Sequence, residues 1–178
     1  MDQQARAPFT GALTKAGVAA GTTTTLTQTL AAGATANIVV IRGKMYSVAA
    51  LSNTATPTTD WATGKAFVPI LPSQGSVFWV GFNAAGAFKA IQGQVSALDV
   101  NGAFITAPTP GGTGPSGSAA GAGGSGDFCP IAYIIVKADS TASAAGWIFG
   151  SSNFGTPPTG LTYAYQDICG LPDRPQIA

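Results

Sequence analysis

Apolar residues in this chain recur at alternate positions in short runs, and clusters of turn-forming residues separate those runs. Period-2 alternation of this kind predicts half-buried β-strands. The signal is clearest over 77–82, where Phe78, Val80 and Phe82 share one face and Trp79 and Gly81 the other. Both faces of that strand are expected to be partly covered, in a sandwich or at a subunit contact. A shorter strand is predicted at 67–71. Upstream, 38–41 (Ile-Val-Val-Ile) meets Arg42-Gly43 and resumes at 44–48, the pattern of a β-hairpin. The Thr run of 22–30 predicts a polar strand with Leu26 and Leu30 on one face, because branching at Cβ favours extended backbone. Further on, 128–136 is the most apolar stretch. Strands are also predicted at 146–149, with Trp147 and Phe149 at alternate positions, and at 161–168, with Tyr163 and Tyr165 on one face.

A short internal repeat lies in the middle of the chain. Phe82-Asn83-Ala84-Ala85-Gly86-Ala87-Phe88 returns as Leu98-Asp99-Val100-Asn101-Gly102-Ala103-Phe104. Each copy has hairpin chemistry, since Asn or Asp can bond the backbone just ahead of it and Gly takes positive φ. One strand, 87–98, bulged at Gly93, is expected between the two turns, making a three-stranded meander.

The remaining segments lack either period. Residues 1–21 read as an extended N-terminal arm and 53–64 as a surface loop turned by Pro57, Asp60 and Gly64, with Trp61 folded back onto the body. The tract 108–126 is almost wholly Gly, Ser, Pro, Ala and Thr, the composition of a linker or exposed loop, with a random-coil span of roughly 24 Å. The prolines of 171–178 cannot continue a ladder, so this end is expected to leave the sheet as a tail. The organisation expected is therefore an arm (1–21), one β domain (22–170) and a C-terminal tail (171–178). Its fold class is all-β, a single antiparallel sandwich or barrel.

Composition changes the picture in one respect. Of 178 residues only 8% are charged, against about 25% in an ordinary soluble domain. All seven acids are Asp, and the net charge is +1. The absence of Glu argues against long surface helices, which recruit Glu and Lys at four-residue spacing. Scattered cations argue against nucleic acid as the main partner. A neutral, small-grained surface suits a protein that lies against other subunits, where charge is less needed to suppress association. The start Met1-Asp2-Gln3-Gln4-Ala5-Arg6 lacks the basic and apolar regions of a secretory signal, so synthesis and retention in the cytosol are expected. No apolar run approaches the roughly 20 residues of a membrane helix. Cys129 and Cys169 could form one disulfide, but without a secretory route two buried thiols are expected.

Catalytic chemistry has little to draw on. Histidine is absent, which excludes Ser-His-Asp and Cys-His catalysis, and two cysteines alone cannot supply a zinc site. Asp60, Asp99 and Asp127 stand in turn contexts and read as turn formers rather than as a catalytic carboxylate pair. Asp99-Val100-Asn101-Gly102 has the opening of a calcium loop but no Glu to complete it. Gly111-Gly112-Thr113-Gly114 is followed by no Gly-Lys-Ser/Thr, and a flexible loop is the better reading than a phosphate cradle. Trp61, Trp79, Trp147, Tyr163 and Tyr165 could stack on sugar rings, although aromatics in β proteins mostly fill cores or interfaces. No catalytic, cofactor or metal site is expected.

Several short motifs, in order, carry a resemblance. They are Gly43-Lys44-Met45-Tyr46, Thr56-Pro57-Thr58-Thr59-Asp60, Phe67-Val68-Pro69, Gln92-Gly93-Gln94-Val95, Cys129-Pro130-Ile131-Ala132-Tyr133 and Leu171-Pro172-Asp173-Arg174-Pro175-Gln176. Over residues 38–176 the chain resembles small virion structural proteins of tailed bacteriophages, from which the 108–126 insertion departs. The resemblance implies a capsid decoration (cement) protein, bound to the outer surface of the major capsid protein lattice and stabilising it. It also allows a head or tail fibre subunit that recognises a bacterial surface glycan, with Trp61 and nearby loops as the contact. A virion location, a non-enzymatic role and a homo-oligomer, a trimer being favoured, are the corresponding expectations, with no nucleic-acid or membrane partner.

Overall fold

The computed structural model describes residues 10–108 and 127–168. Within them the chain is all-β and antiparallel, with no helix. Eleven strands occur in order: β1 (Gly11–Ala12), β2 (Val18–Ala20), β3 (Thr25–Gln28), β4 (Ala36–Ile41), β5 (Lys44–Ala49), β6 (Thr54–Ala55), β7 (Gln74–Asn83), β8 (Phe88–Gln92), β9 (Ser96–Ala97), β10 (Phe128–Ala138) and β11 (Leu161–Asp167). They form three sheets. The first runs β1-β4-β5, the second β2-β3-β6, and the third and largest β11-β10-β7-β8, with β9 also on β7. None of the sheets closes, so the barrel expected as one alternative is not formed.

The alternation read from the sequence fixes which residues enter the core. Phe78, Val80 and Phe82 of β7 and Ile134, Val136 and Ala138 of β10 are buried, and they meet Leu26 of β3 and Val39 and Ile41 of β4 in one cluster that draws on all three sheets. Rings of Phe67, Phe78, Trp147, Phe149, Phe154 and Tyr163 fill its centre, most in edge contacts such as Phe67 on Phe149 at 5.0 Å between centroids. Such pairs add to the large area each ring removes from water.

Turn chemistry sets the connections. In the β4–β5 hairpin Arg42 and Gly43 have φ of 51° and 77°, the two positive values that a twisted two-residue turn requires. The internal repeat builds two matching turns. Asn83 N–H donates to Ala87 O and its side-chain oxygen accepts from the amides of Ala85 and Ala87; Asp99 N–H donates to Ala103 O and its carboxylate accepts from Asn101 and Ala103. Gly86 and Gly102 supply φ of 75° and 73° at the same place in each. The expected bulge at Gly93 is present: Phe78 pairs with Gln92 and Gly75 with Ser96, so residues 93–95 face only 76–77. The Ser76 hydroxyl donates to the Gly93 carbonyl freed there.

On β10 the register shifts between Pro130 and Ala132, which accommodates a proline inside a central strand. Gly81 lies opposite, where a Cβ would run into the Cys129 carbonyl.

Three expectations need correction. Residues 10–21 are part of the body: β1 pairs with β4, β2 pairs with β3, and Ala12, Ala16 and Val18 are buried. Their side chains are small, so the alternation they follow is faint in the sequence; residues 1–9 and 171–178, and most of the 108–126 tract, lie outside the described residues. Segment 67–71 is not a strand. Pro69 and Pro72 interrupt any ladder, and Val68 is gripped instead by the Gln92 side chain, which accepts from Val68 N–H at 2.7 Å and donates to its carbonyl at 2.9 Å. Segment 146–149 makes one bridge, Trp147 with Ile70, because Gly146 and Gly150 turn the chain on either side at φ of 76° and 80°.

Candidate interaction surfaces

Carboxylates and thiols are occupied structurally. Asp60, only 6% exposed, accepts from the amides of Ala62 (2.7 Å) and Thr63 (3.2 Å) through Oδ1 and of Gln92 (3.1 Å) through Oδ2. It is thus a turn former, as expected, and also a tie between loop 60–65 and β8. Asp99 sits in its hairpin turn, Asp127 stands just before β10, Asp139 just after it, and Asp167 ends β11. Asp139 is held below the usual carboxylate range by the Thr141 hydroxyl and amide. The Cys129 thiol is fully buried, and burial pushes its pKa up to about 12. Cys169 lies outside the described residues, and with it the question of pairing. Among the described residues no group of three or more His, Cys, Asp or Glu could hold a metal ion, and no helix is long and apolar enough to cross a membrane.

The aromatic residues weighed as sugar platforms are dispersed. Trp147 is buried, and Tyr163 points to the core, where its hydroxyl donates to the Asn153 carbonyl. Trp79 and Trp61 belong to a small second cluster with Ala62, Ile91 and Phe128 on the outer face of the third sheet. Trp61 does fold back, and Lys89 stands 4.5 Å over its ring, a cation–π contact that covers one of its two faces.

What the surface does present is apolar. Met45, Val68, Leu71, Val100 and Ile105 are 64%, 57%, 41%, 102% and 67% exposed. Val100 belongs to the second copy of the repeat and Ile105 follows directly after it; the turn of that copy overhangs an open groove of about 640 Å³ floored by Lys137, Asp139 and Thr162. Lys137 is fixed there by a bond to the Gly102 carbonyl and by the Phe104 ring. Val77, Trp79, Tyr133 and Ile135 form a half-buried apolar stripe on the same outer face, with Trp79 and Tyr133 in contact at 5.6 Å.

Sequence reading passed over Gln92 as an anchor. The available signal was a Gln on the buried face of an apolar strand, which demands an internal partner. No protein family, no curated protein and no solved structure matches the chain.

Proposed function

We propose that this chain is a structural subunit of a tailed-phage particle, a decoration protein that binds the outer surface of the capsid lattice as a homo-oligomer and stabilises it. Its three sheets around one core are read as a sandwich-like body that offers its loops to neighbours. The observation that carries this reading is the pairing of a nearly uncharged surface with large apolar side chains left in solvent at Met45, Val68, Leu71, Val100 and Ile105. Each buried apolar Å² contributes about 25 cal/mol before ordering costs, so many modest contacts across subunit junctions add to particle stability. No catalytic residue or cofactor is assigned. The fibre reading with glycan recognition is less well supported, because Lys89 already stands over one face of the Trp61 ring.

The test is co-sedimentation of the purified chain with capsids of its own phage that lack it. Saturable binding that Val100→Asp and Ile105→Asp weaken, with the fold intact by circular dichroism, is the expected result. No binding to capsids, with binding to host-surface polysaccharide instead, would reverse the order of the two readings.

A further inference from the structure

The chain treats the two edges of its largest sheet differently. In an antiparallel ladder, alternate residues direct their N–H and C=O groups to opposite sides of the strand. On β8 the phase is set by Asn83 N–H to Ala87 O and Gly93 N–H to Val77 O, so Phe88, Ala90 and Gln92 face away from β7. Two of their outward groups are met by loop 60–65. The Ala90 carbonyl accepts from Trp61 N–H, and Gln92 N–H donates to Asp60.

On β11 the phase is set by Ile168 N–H to Ile131 O and Asp139 N–H to Gly160 O, so even-numbered residues bond β10 and odd-numbered ones face outward. Leu161 N–H is used by the Pro158 carbonyl. The backbone N–H and C=O groups of Tyr163 and Tyr165 have no hydrogen-bond partner among the described residues. Their side chains are anchored meanwhile: both pack against the core, and the Tyr163 ring lies on Trp147 and Phe154. The edge is therefore held in place with its bonding groups open. Over 161–166 it lacks the usual guards of an exposed edge, with no charge and no proline and a pairing with β10 that runs without a bulge; the one charge of β11 is at its end, where the Asp167 carboxylate accepts from Val18 N–H of β2.

We propose that β11 is a self-association edge that pairs antiparallel with β11 of a second copy about a two-fold axis at Ala164. Outward bonding by odd-numbered residues admits this register, which places Tyr163 opposite the partner's Tyr165 and the reverse, so that the groups left open in each chain satisfy those of the other. Ala164 then faces the partner's Ala164 at a non-bonded position, where opposed side chains come closest, and this exposed residue is small enough to fit. Thr162 falls opposite the partner's Gln166, and Asp167 opposite the partner's Leu161, so no like charges meet. A second copy thus fits the edge in charge, size and bonding phase. The proposal rests on the assembly reading only for its use in a particle: a dimer that ignores capsids would sink the capsid role and leave this edge standing.

The experiment uses the full chain in a Cys169→Ser background, where the buried Cys129 does not compete. Sedimentation equilibrium should show a dimer that Ala164→Lys weakens by about tenfold or more, since it sets two cations face to face on an exposed position without touching the core. Ala164→Cys should cross-link to itself under mild oxidation, because Cα atoms at such a position lie about 4.5 Å apart, within disulfide reach. Thr162→Cys and Gln166→Cys should cross-link with each other and not with themselves. A monomer at all concentrations overturns the proposal, as does the trimer favoured from the sequence, or association that Ala164→Lys leaves unchanged with no cross-link through Ala164→Cys.

Discussion

Replacing Asp60 with Asn keeps the shape of the side chain and should still cost much of its contribution. The carboxylate accepts three backbone amides from a position that is 6% exposed, with Ala62 and Thr63 on one oxygen and Gln92 on the other. An amide has one accepting oxygen. Turned toward Ala62 and Thr63, it points an NH2 at the buried Gln92 amide; turned the other way, it deprives two donors. An unsatisfied buried donor costs about 1–3 kcal/mol, and bonds to a neutral acceptor are roughly half as strong as those to a charged one. Together these give a loss of about 2–4 kcal/mol, or a fall in melting temperature of about 5–12 °C for a domain of this size. Urea titration followed by tryptophan fluorescence measures the loss. Hydrogen exchange at Gln92 locates it, since the β8 edge should open first. A change within about 0.5 kcal/mol of wild type, with Gln92 protection unaltered, would refute the reasoning, because surface substitutions away from such features fall in that range.

Other outcomes follow from the same contacts. Asn83→Ala removes two side-chain bonds made by a residue that is itself only 9% exposed and should cost about 1–2 kcal/mol by denaturant titration, while Asp99→Ala, whose amides water can reach, should cost about half as much. Gly81→Ala drives a methyl group at the Cys129 carbonyl and should destabilise by about 1–3 kcal/mol or more, seen as a lower melting temperature. Burial raises Tyr163 and Tyr165 to about 12 from an ordinary 10.0, so the folded chain keeps protons that the unfolded chain releases. Stability tied to these hydroxyls is full below pH 10 and is lost as pH rises through 12, and phenolate absorbance should appear in that window together with unfolding. Cys129, raised to about 12 by burial, should resist alkylation at pH 8 in the folded chain and react once urea unfolds it, as read by peptide mass spectrometry.

Local chemistry was legible in the sequence where a residue acts on its own neighbours. The hairpin at Arg42-Gly43, both copies of the repeat and the bulge at Gly93 all depend on turn residues and period-2 alternation within a few positions. Segments whose structure depends on distant partners were not legible. Segment 67–71 looks like a strand, yet its backbone is held by a side chain from Gln92; residues 10–21 look irregular, yet Ala12 and Ala16 fit spaces prepared by other strands. The same limit applies to the surface. Asp60 announced a turn, but its second oxygen closes a sheet edge 32 residues away in sequence. Openness at Tyr163 and Tyr165 is a property of the ladder's phase, which no single residue type encodes.

The central claim, the proposed capsid-bound structural role, is tested most directly by quantitative mass spectrometry of phage particles purified from the source of this gene. The account predicts the chain on the particle in a fixed ratio to the major capsid protein. Absence from particles would contradict it, and a handful of copies confined to a vertex or tail would replace decoration with the fibre role.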